Sequence, residues 1–245
     1  MGQPDQEEVR IRQVYARRDS SGKPALYHWQ RQDVIYIIYR YRAVLARALR
    51  SLGINDLSSL HVLDVGCGNG GWLRLLLEWG ASPERLHGVD LLPDRIARAQ
   101  ALSPPGLDWR VGNALGLDFA DGSMDLCAAS TVFSSILDPA ARLALAQEMA
   151  RVVKPGGYIM IHDYVVSAPT NPDTVGIPQR EIRRLFPAMR QRHNFKLIFP
   201  PPLLRLLPQG LLWLAYLCEV LLPFICTHRL FILQKPLPDM DPDHS

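Results

Sequence analysis

The chain has 245 residues, 48% of them hydrophobic and 21% charged, enough to bury a full core in one domain of upper-middle size. Its formal net charge of +3 sets 27 basic against 24 acidic residues, too even a balance for a nucleic-acid surface, so no nucleic-acid partner is expected. Four cysteines, at 67, 127, 218 and 226, show neither metal-ligand spacing nor a disulfide framework, and the polar, acidic N-terminus lacks the features of a secretory signal. The expectation is a cytoplasmic protein without a metal.

Residues 1–30 are polar and rich in arginine with scattered aromatics, a composition that can cap a site but cannot make a core alone. Residues 1–50 hold ten basic residues against five acidic ones, which suits either a nearby anionic group or a solvated helix face. From Val34 the apolar residues recur at 34, 37, 38, 41, 45, 48, 49 and 52, which is helical spacing, and Gly53 ends that helix. Residues 1–53 therefore read as a helical N-terminal arm or lid, and 54–235 as the main domain. Within it, strand patterns at 60–65, 86–90, 108–111, 125–129 and 158–164 alternate with helical patterns at 71–79, 93–101 and 139–153. Such alternation predicts an α/β fold, a mostly parallel sheet with helices on both faces. A loop at 165–178 precedes a basic helix at 179–186 and a strand at 195–199. An apolar helical insertion over 201–226 then leads to a seventh strand at 229–233 and a polar tail at 236–245. The stretch 211–226 contains Glu219 and Pro223 and falls short of the roughly 20 apolar residues a span needs, so no stable membrane insertion is expected. It reads as a buried or interfacial helix.

The densest signal is the glycine-rich run from Val62 to Gly71. Gly66, Gly68 and Gly71 satisfy a three-glycine dinucleotide pattern, with Asp90 about 20 residues on as that fingerprint requires, so a nucleotide-dependent oxidoreductase fits these residues alone. Asp64 is the discriminator. Two residues ahead of the first glycine, it would repel a pyrophosphate over the helix N-terminus, whereas it suits the ammonium and sulfonium cations of S-adenosylmethionine.

The run Val62-Leu63-Asp64-Val65-Gly66-Cys67-Gly68-Asn69-Gly70 resembles the first motif of class I S-adenosylmethionine-dependent methyltransferases. Further motifs follow in order over about residues 55–165, through Asp90, Gly112-Asn113-Ala114, Ser130-Thr131-Val132-Phe133 and Arg151-Val152-Val153-Lys154-Pro155-Gly156-Gly157. The resemblance implies a Rossmann-like fold whose seven-stranded sheet has an antiparallel last strand. It implies S-adenosylmethionine as methyl donor, S-adenosylhomocysteine as product, and no metal. It assigns the cofactor to Asp64, Gly66, Cys67, Gly68, Asn69 and Gly70 of the loop, to Asp90 and Leu91 for the ribose, and to Asn113 and Ala114 for the adenine. Where Asn113 stands the family commonly has Asp. Ser130 and Thr131 follow the fourth strand beside the cofactor. Looser likenesses at 131–138, 181–186 and 227–228 point to a bacterial subgroup associated with surface-glycan or specialised-metabolite pathways.

On the arm, Tyr15 and Arg42 are candidate cofactor contacts, Arg42 with Arg40 for the methionine carboxylate. Ligands of open parallel sheets gather at the carboxyl ends of the strands, which brings His162, Asp163 and Tyr164 into view. Alternation sends His162 and Asp163 to opposite faces, and Asp163 is favoured as proton acceptor, with His162 and His28 as further bases. Tyr27, Trp29, Phe133, Ser134 and Tyr164 are candidate acceptor contacts. Duller roles stand beside these: packing anchors for the aromatics, a solvated helix face for the arginines, and a packed His162. The expected function is methyl transfer to an O or N atom of a small molecule, a specialised metabolite or sugar-bearing intermediate, by a monomer or homodimer. An oxidoreductase or a non-catalytic cofactor-binding protein are the alternatives.

Overall fold

The short apolar runs pair into one seven-stranded sheet in the order β3-β2-β1-β4-β5-β7-β6. The computed structural model describes residues 3–20, 28, 30–167 and 171–237. The strands are β1 (Val62–Val65), β2 (Leu86–Asp90), β3 (Asp108–Val111), β4 (Met124–Ser130), β5 (Val153–Tyr164), β6 (Arg190–Leu197) and β7 (His228–Gln234). Neighbours from β3 to β5 are parallel, and β7 runs antiparallel to both β5 and β6, as expected for the last strand. Central strands of such a sheet are covered on both faces, which is why β1 is buried at every position and reads as a continuous apolar run broken only by Asp64.

One face packs α2 (Gln32–Ser51) and α3 (Gly71–Glu78) on Val62, Leu126, Met160 and Ile232. The other packs α5 (Pro139–Val152) and α6 (Gln179–Leu185) on Leu63, Cys127, Ile159 and Ile161. Pro139 starts α5 behind the N-cap Asp138, whose carboxylate accepts the Ala140 N–H at 2.9 Å. α4 (Pro93–Ala101) covers β2 and β3. α1 (Gln3–Ser20) buries few apolar side chains, chiefly Val14 with Ile11 against the core. Polar ties hold it instead: Glu7 Oε1 accepts the Leu137 N–H at 2.6 Å, and Arg10 donates to the Ser135 carbonyl.

Two elements depart from the sequence pattern. β6 begins at Arg190 rather than at 195, because it is an edge strand paired only with β7 and its first residues are exposed and polar. The apolar insertion is not one helix. It divides into α7 (Pro201–Leu204) and α8 (Leu212–Leu221), followed by a single turn at Pro223–Ile225. His228 pairs with Tyr164 on one side and Leu197 on the other, so this β6–β7 connection lies at the carboxyl end of the parallel strands.

Candidate functional site

At that carboxyl end a cavity of about 260 Å³ opens between the first glycine loop, the ends of β2 and β4, and α1. Its lining includes Gly66, Gly68, Asp90, Leu91, Asn113, Ala114, Ser130, Thr131 and Tyr15. Gly66 has φ +69°, and a Cβ there would fall 2.5 Å from Val132 Cγ2, so this turn admits only glycine. Gly68, at φ +53°, has nothing within 4 Å of its Cβ position. Its backbone edge faces open space. Asp90 ties the loop to β2: Oδ2 accepts the Gly68 N–H at 2.8 Å and Oδ1 the Leu92 N–H at 2.9 Å. Lone pairs remain on both oxygens for a diol at the cavity wall. At the end of β4, Thr131 takes φ +55° and donates its N–H to the His162 carbonyl at 2.7 Å, a left-handed residue at the rim.

The cavity is rich in carboxylates. Among the described residues, Glu7, Glu8 and Asp90 line it against one cation, Arg95, which is itself bonded to Asp19 at 2.7 Å. Burial would raise the Glu7 pKa, but the Arg10 guanidinium and the Leu137 N–H hold it below the usual value, so it is ionised. Glu8 Oε2 accepts from Asn113 Nδ2 at 2.9 Å, and Asn113 Oδ1 accepts the Leu115 N–H at 3.0 Å. Behind the loop, Asp64 is 3% exposed, and burial together with the neighbouring Asp90 drives its pKa well above normal. Burial, Asp64 and Asp90 likewise push the Cys67 thiol up. A cation beside this loop would favour the ionised form of Asp64.

Of the loop residues expected at the cofactor, Gly66 and Gly68 line the cavity, while Asp64, Cys67, Asn69 and Gly70 are not among the residues that line it. Arg42 does not face the cavity. It pairs with Glu78 at 3.4 Å on the outer surface, and Arg40 is held by Glu219, so neither reaches a cofactor carboxylate. Asp163 is fully buried, and its carboxylate accepts the Ser134 N–H at 3.0 Å and the Tyr164 N–H at 2.8 Å. Burial pushes its pKa up to about 6 despite these bonds. The expected proton acceptor is thus a brace between β5 and the turn after β4. His162 points to the opposite face, as alternation requires, where its ring lies 4.5 Å from Tyr41 and 5.4 Å from His228. Its Nδ1 is 3.0 Å from Ser130 Oγ, and burial lowers its pKa to about 3, which makes it a poor base.

His28 is exposed and does not line the cavity. Phe133 and Ser134 are buried under the rim, while their neighbours Val132 and Ser135 line it. Tyr164 packs on His228 at 4.1 Å. Tyr27 and Trp29 lie outside the described residues. Sequence reasoning missed Glu7, Glu8 and Ile11, which line the cavity from α1. The signal was present: positions 7, 11 and 15 share one helical face.

Residues 62–157 match a family of methyltransferase domains. Over 106 residues, 42% of its length, the chain is 37% identical to the 2-methyl-6-phytyl-1,4-hydroquinone methyltransferase of Synechocystis sp., covering 31% of that protein. Over 129 residues, 52% of its length, it is 35% identical to the fatty-acid O-methyltransferase of Mycolicibacterium smegmatis, covering 43%. The chain thus spans less than half the length of these curated relatives. A solved S-adenosylmethionine-dependent methyltransferase from Mesorhizobium loti superposes with a TM-score of 0.58 at 18% identity, over 77% of this chain and 96% of that one. This likeness shows the fold.

Proposed function

We propose, from the match of residues 62–157 to a family of methyltransferase domains, that this chain transfers a methyl group from S-adenosylmethionine to a small apolar molecule. The observation that carries the reading is the charge of the cavity, where among the described residues Glu7, Glu8 and Asp90 face one arginine. A pyrophosphate would meet these carboxylates at a cost, whereas a sulfonium and an ammonium are attracted to them and to Asp64 behind the loop. That imbalance argues against the nucleotide-dependent oxidoreductase.

The residues fit the cofactor as a donor set. Asp90 offers two acceptor oxygens to a diol, and Gly68 leaves room for close approach of the ligand to the backbone. Asn113, Ala114 and Leu115 make the wall for a planar base. When bound, S-adenosylmethionine supplies a methyl group on an already activated sulfur. The chain's contribution is proximity and in-line alignment of the acceptor. Val132, Ile136 and Ala141 give the apolar surface against which the acceptor rests, and Ser130, Ser135 and Glu7 the polar groups that orient it. An O or N acceptor suits these groups, since a hydroxyl or amine can donate a hydrogen bond to the ionised Glu7 and be oriented by it. The names of the two relatives, acting on a phytyl hydroquinone and a fatty acid, favour an apolar acceptor.

Calorimetry with S-adenosylmethionine, S-adenosylhomocysteine and NAD tests the donor. Binding of both sulfur compounds with no response to NAD is expected, and tight NAD binding without them refutes the reading. Incubation with methyl-labelled donor and a panel of hydroquinones, fatty acids and terpenoid alcohols tests the acceptor. Nuclear magnetic resonance of the product decides the atom, and a carbon-linked methyl refutes the O or N assignment.

A further inference from the structure

The β6–β7 connection carries an apolar surface that the methyltransferase reading does not use. α8 turns Leu212, Ala215 and Glu219 inward, where Ala215 packs with Tyr36 and Leu204. Its other side is apolar too. Trp213, Tyr216 and Val220 are 59%, 50% and 56% exposed, and Phe224 in the following turn is 75% exposed. At roughly 200 Å² per aromatic side chain, Trp213, Tyr216 and Phe224 alone leave on the order of 350 Å² in water. That equals the largest apolar patch a typical monomer shows. A helix apolar on both sides calls for an apolar environment on the second side as well. Yet among the described residues no helix is long and apolar enough to cross a membrane.

Among the described residues the charge around this crest is one-sided. Between residues 199 and 237 the single acidic residue is Glu219, which is 5% exposed and accepts from Tyr36 Oη, Arg40 Nε and the Phe199 N–H, each at 2.8 Å. Asp33, 4% exposed at the base of the crest, is held by both Arg31 and Arg205. The two carboxylates are therefore sealed by arginines. Lys196 is exposed and stands opposite Arg229 in the β6–β7 ladder, and β6 touches the turn that follows α8. The Arg40 guanidinium lies 4.6 Å over the Tyr216 ring. Aromatic and aliphatic side chains above a rim of cations complement the interface of an anionic bilayer, acyl boundary against the crest and headgroups against the cations.

We propose that the crest formed by α8 and the turn after it docks this chain on the surface of an anionic lipid bilayer. The β6–β7 connection lies at the ligand end of the sheet, so docking turns that end toward the lipid. The proposal concerns the surface and stands apart from the identity of the acceptor. Its test is co-sedimentation of the full chain with vesicles of phosphatidylcholine alone and of phosphatidylcholine with phosphatidylglycerol. Binding is expected to favour the phosphatidylglycerol vesicles by roughly tenfold or more, in line with about 1 kcal/mol for each of one or two cations near such a surface. The double variant Trp213→Glu, Phe224→Glu is expected to stay in the supernatant while keeping its thermal unfolding midpoint and its affinity for S-adenosylhomocysteine, since neither residue lines the cavity. Lys196→Glu, which leaves the crest intact, is expected to weaken binding about fivefold or more. Absence of binding to either vesicle, equal binding to both, or binding unchanged in the double variant overturns the proposal. Concentration-dependent dimerisation abolished by the double variant, without vesicle binding, overturns it in favour of a second copy of the chain on the crest.

Discussion

Alanine at Gly66 and alanine at Gly68 are expected to fail in different ways, although the two glycines are two residues apart in one loop. Both have left-handed φ, +69° and +53°, so each substitution carries a backbone strain of about 1–2 kcal/mol. At Gly66 the new Cβ also meets Val132 Cγ2 at 2.5 Å. Overpacking of that kind adds about 1–3 kcal/mol, for a total of roughly 2–5 kcal/mol. At Gly68 no atom lies within 4 Å of the Cβ position, and only the strain remains. For a chain of this size about 2–4 °C accompanies each kcal/mol, which gives losses of roughly 4–20 °C for Gly66→Ala and 2–8 °C for Gly68→Ala. The Gly68 methyl instead enters the cavity, so that variant is expected to lose affinity for S-adenosylhomocysteine by about tenfold or more while remaining folded. Urea titration and calorimetry on the two variants measure both quantities. Equal destabilisation of the two, or unchanged affinity in Gly68→Ala, would refute the placement of Gly66 against the β4 turn and of Gly68 at the ligand.

Asp90→Asn is expected to weaken S-adenosylhomocysteine binding by about tenfold or more, because the carboxylate bonds to the Gly68 and Leu92 N–H groups are charge-assisted and hold the loop in shape. Arg42→Ala is expected to leave that affinity within about twofold, since Arg42 pairs with Glu78 at the surface; a loss as large as that of Asp90→Asn contradicts the geometry. Stability against pH separates two buried neighbours. His162 and His228 have folded pKa values of about 3 and 4 against 6.5, so the unfolded state binds more protons in that window. Their contribution is full above pH 6.5 and is lost as pH falls, on the order of 3 kcal/mol each by pH 4. Asp163, at about 6 against 3.8, has the opposite sign: the folded state binds more protons, and stability falls as pH rises from about 4 to 6. Asp163→Asn is therefore expected to steepen the rise of unfolding free energy between pH 4 and 6, and His228→Gln to flatten it. Urea titrations across pH 4–8 check both slopes, and an unchanged slope in either variant counts against its assignment.

The glycine-loop wall of the cavity was legible because it is made by backbone geometry that sequence must respect. Gly66 and Gly68 turn the chain in left-handed conformations, and Asp90 stands at a strand end that both apolar patterning and the spacing from the loop mark out. α1 was legible as an arm over the site with Tyr15 among its contacts, but Glu7, Glu8 and Ile11 were not, because the face they share with Tyr15 is mixed polar and apolar and gives no hydrophobic period. β6 was mislocated for the related reason that the edge residues from Arg190 to His193 do not alternate between core and solvent. The arginines of α2 carried charge but no direction. Partners distant in sequence, Glu78 for Arg42 and Glu219 for Arg40, decide where they point.

Asp163 shows why alternation along a strand is a weak guide to the reacting face. Its side chain and that of His162 do go to opposite faces, but both faces are covered, one by α5 and α6 and the other by α2 and α3. A ligand of a parallel sheet meets the ends of the strands rather than their faces. The groups that reach it are those past the last ladder bond, where the chain leaves the plane. After β4 the left-handed Thr131 makes that exit, so that Val132 and Ser135 meet the cavity while Phe133 and Ser134 return to the core and receive the Asp163 brace. Under the proposed function, this buried carboxylate fixes the turn that carries Val132 and Ser135 without itself reaching the cavity. Its loss is then expected to act on turnover through the positions of those two residues rather than through a proton.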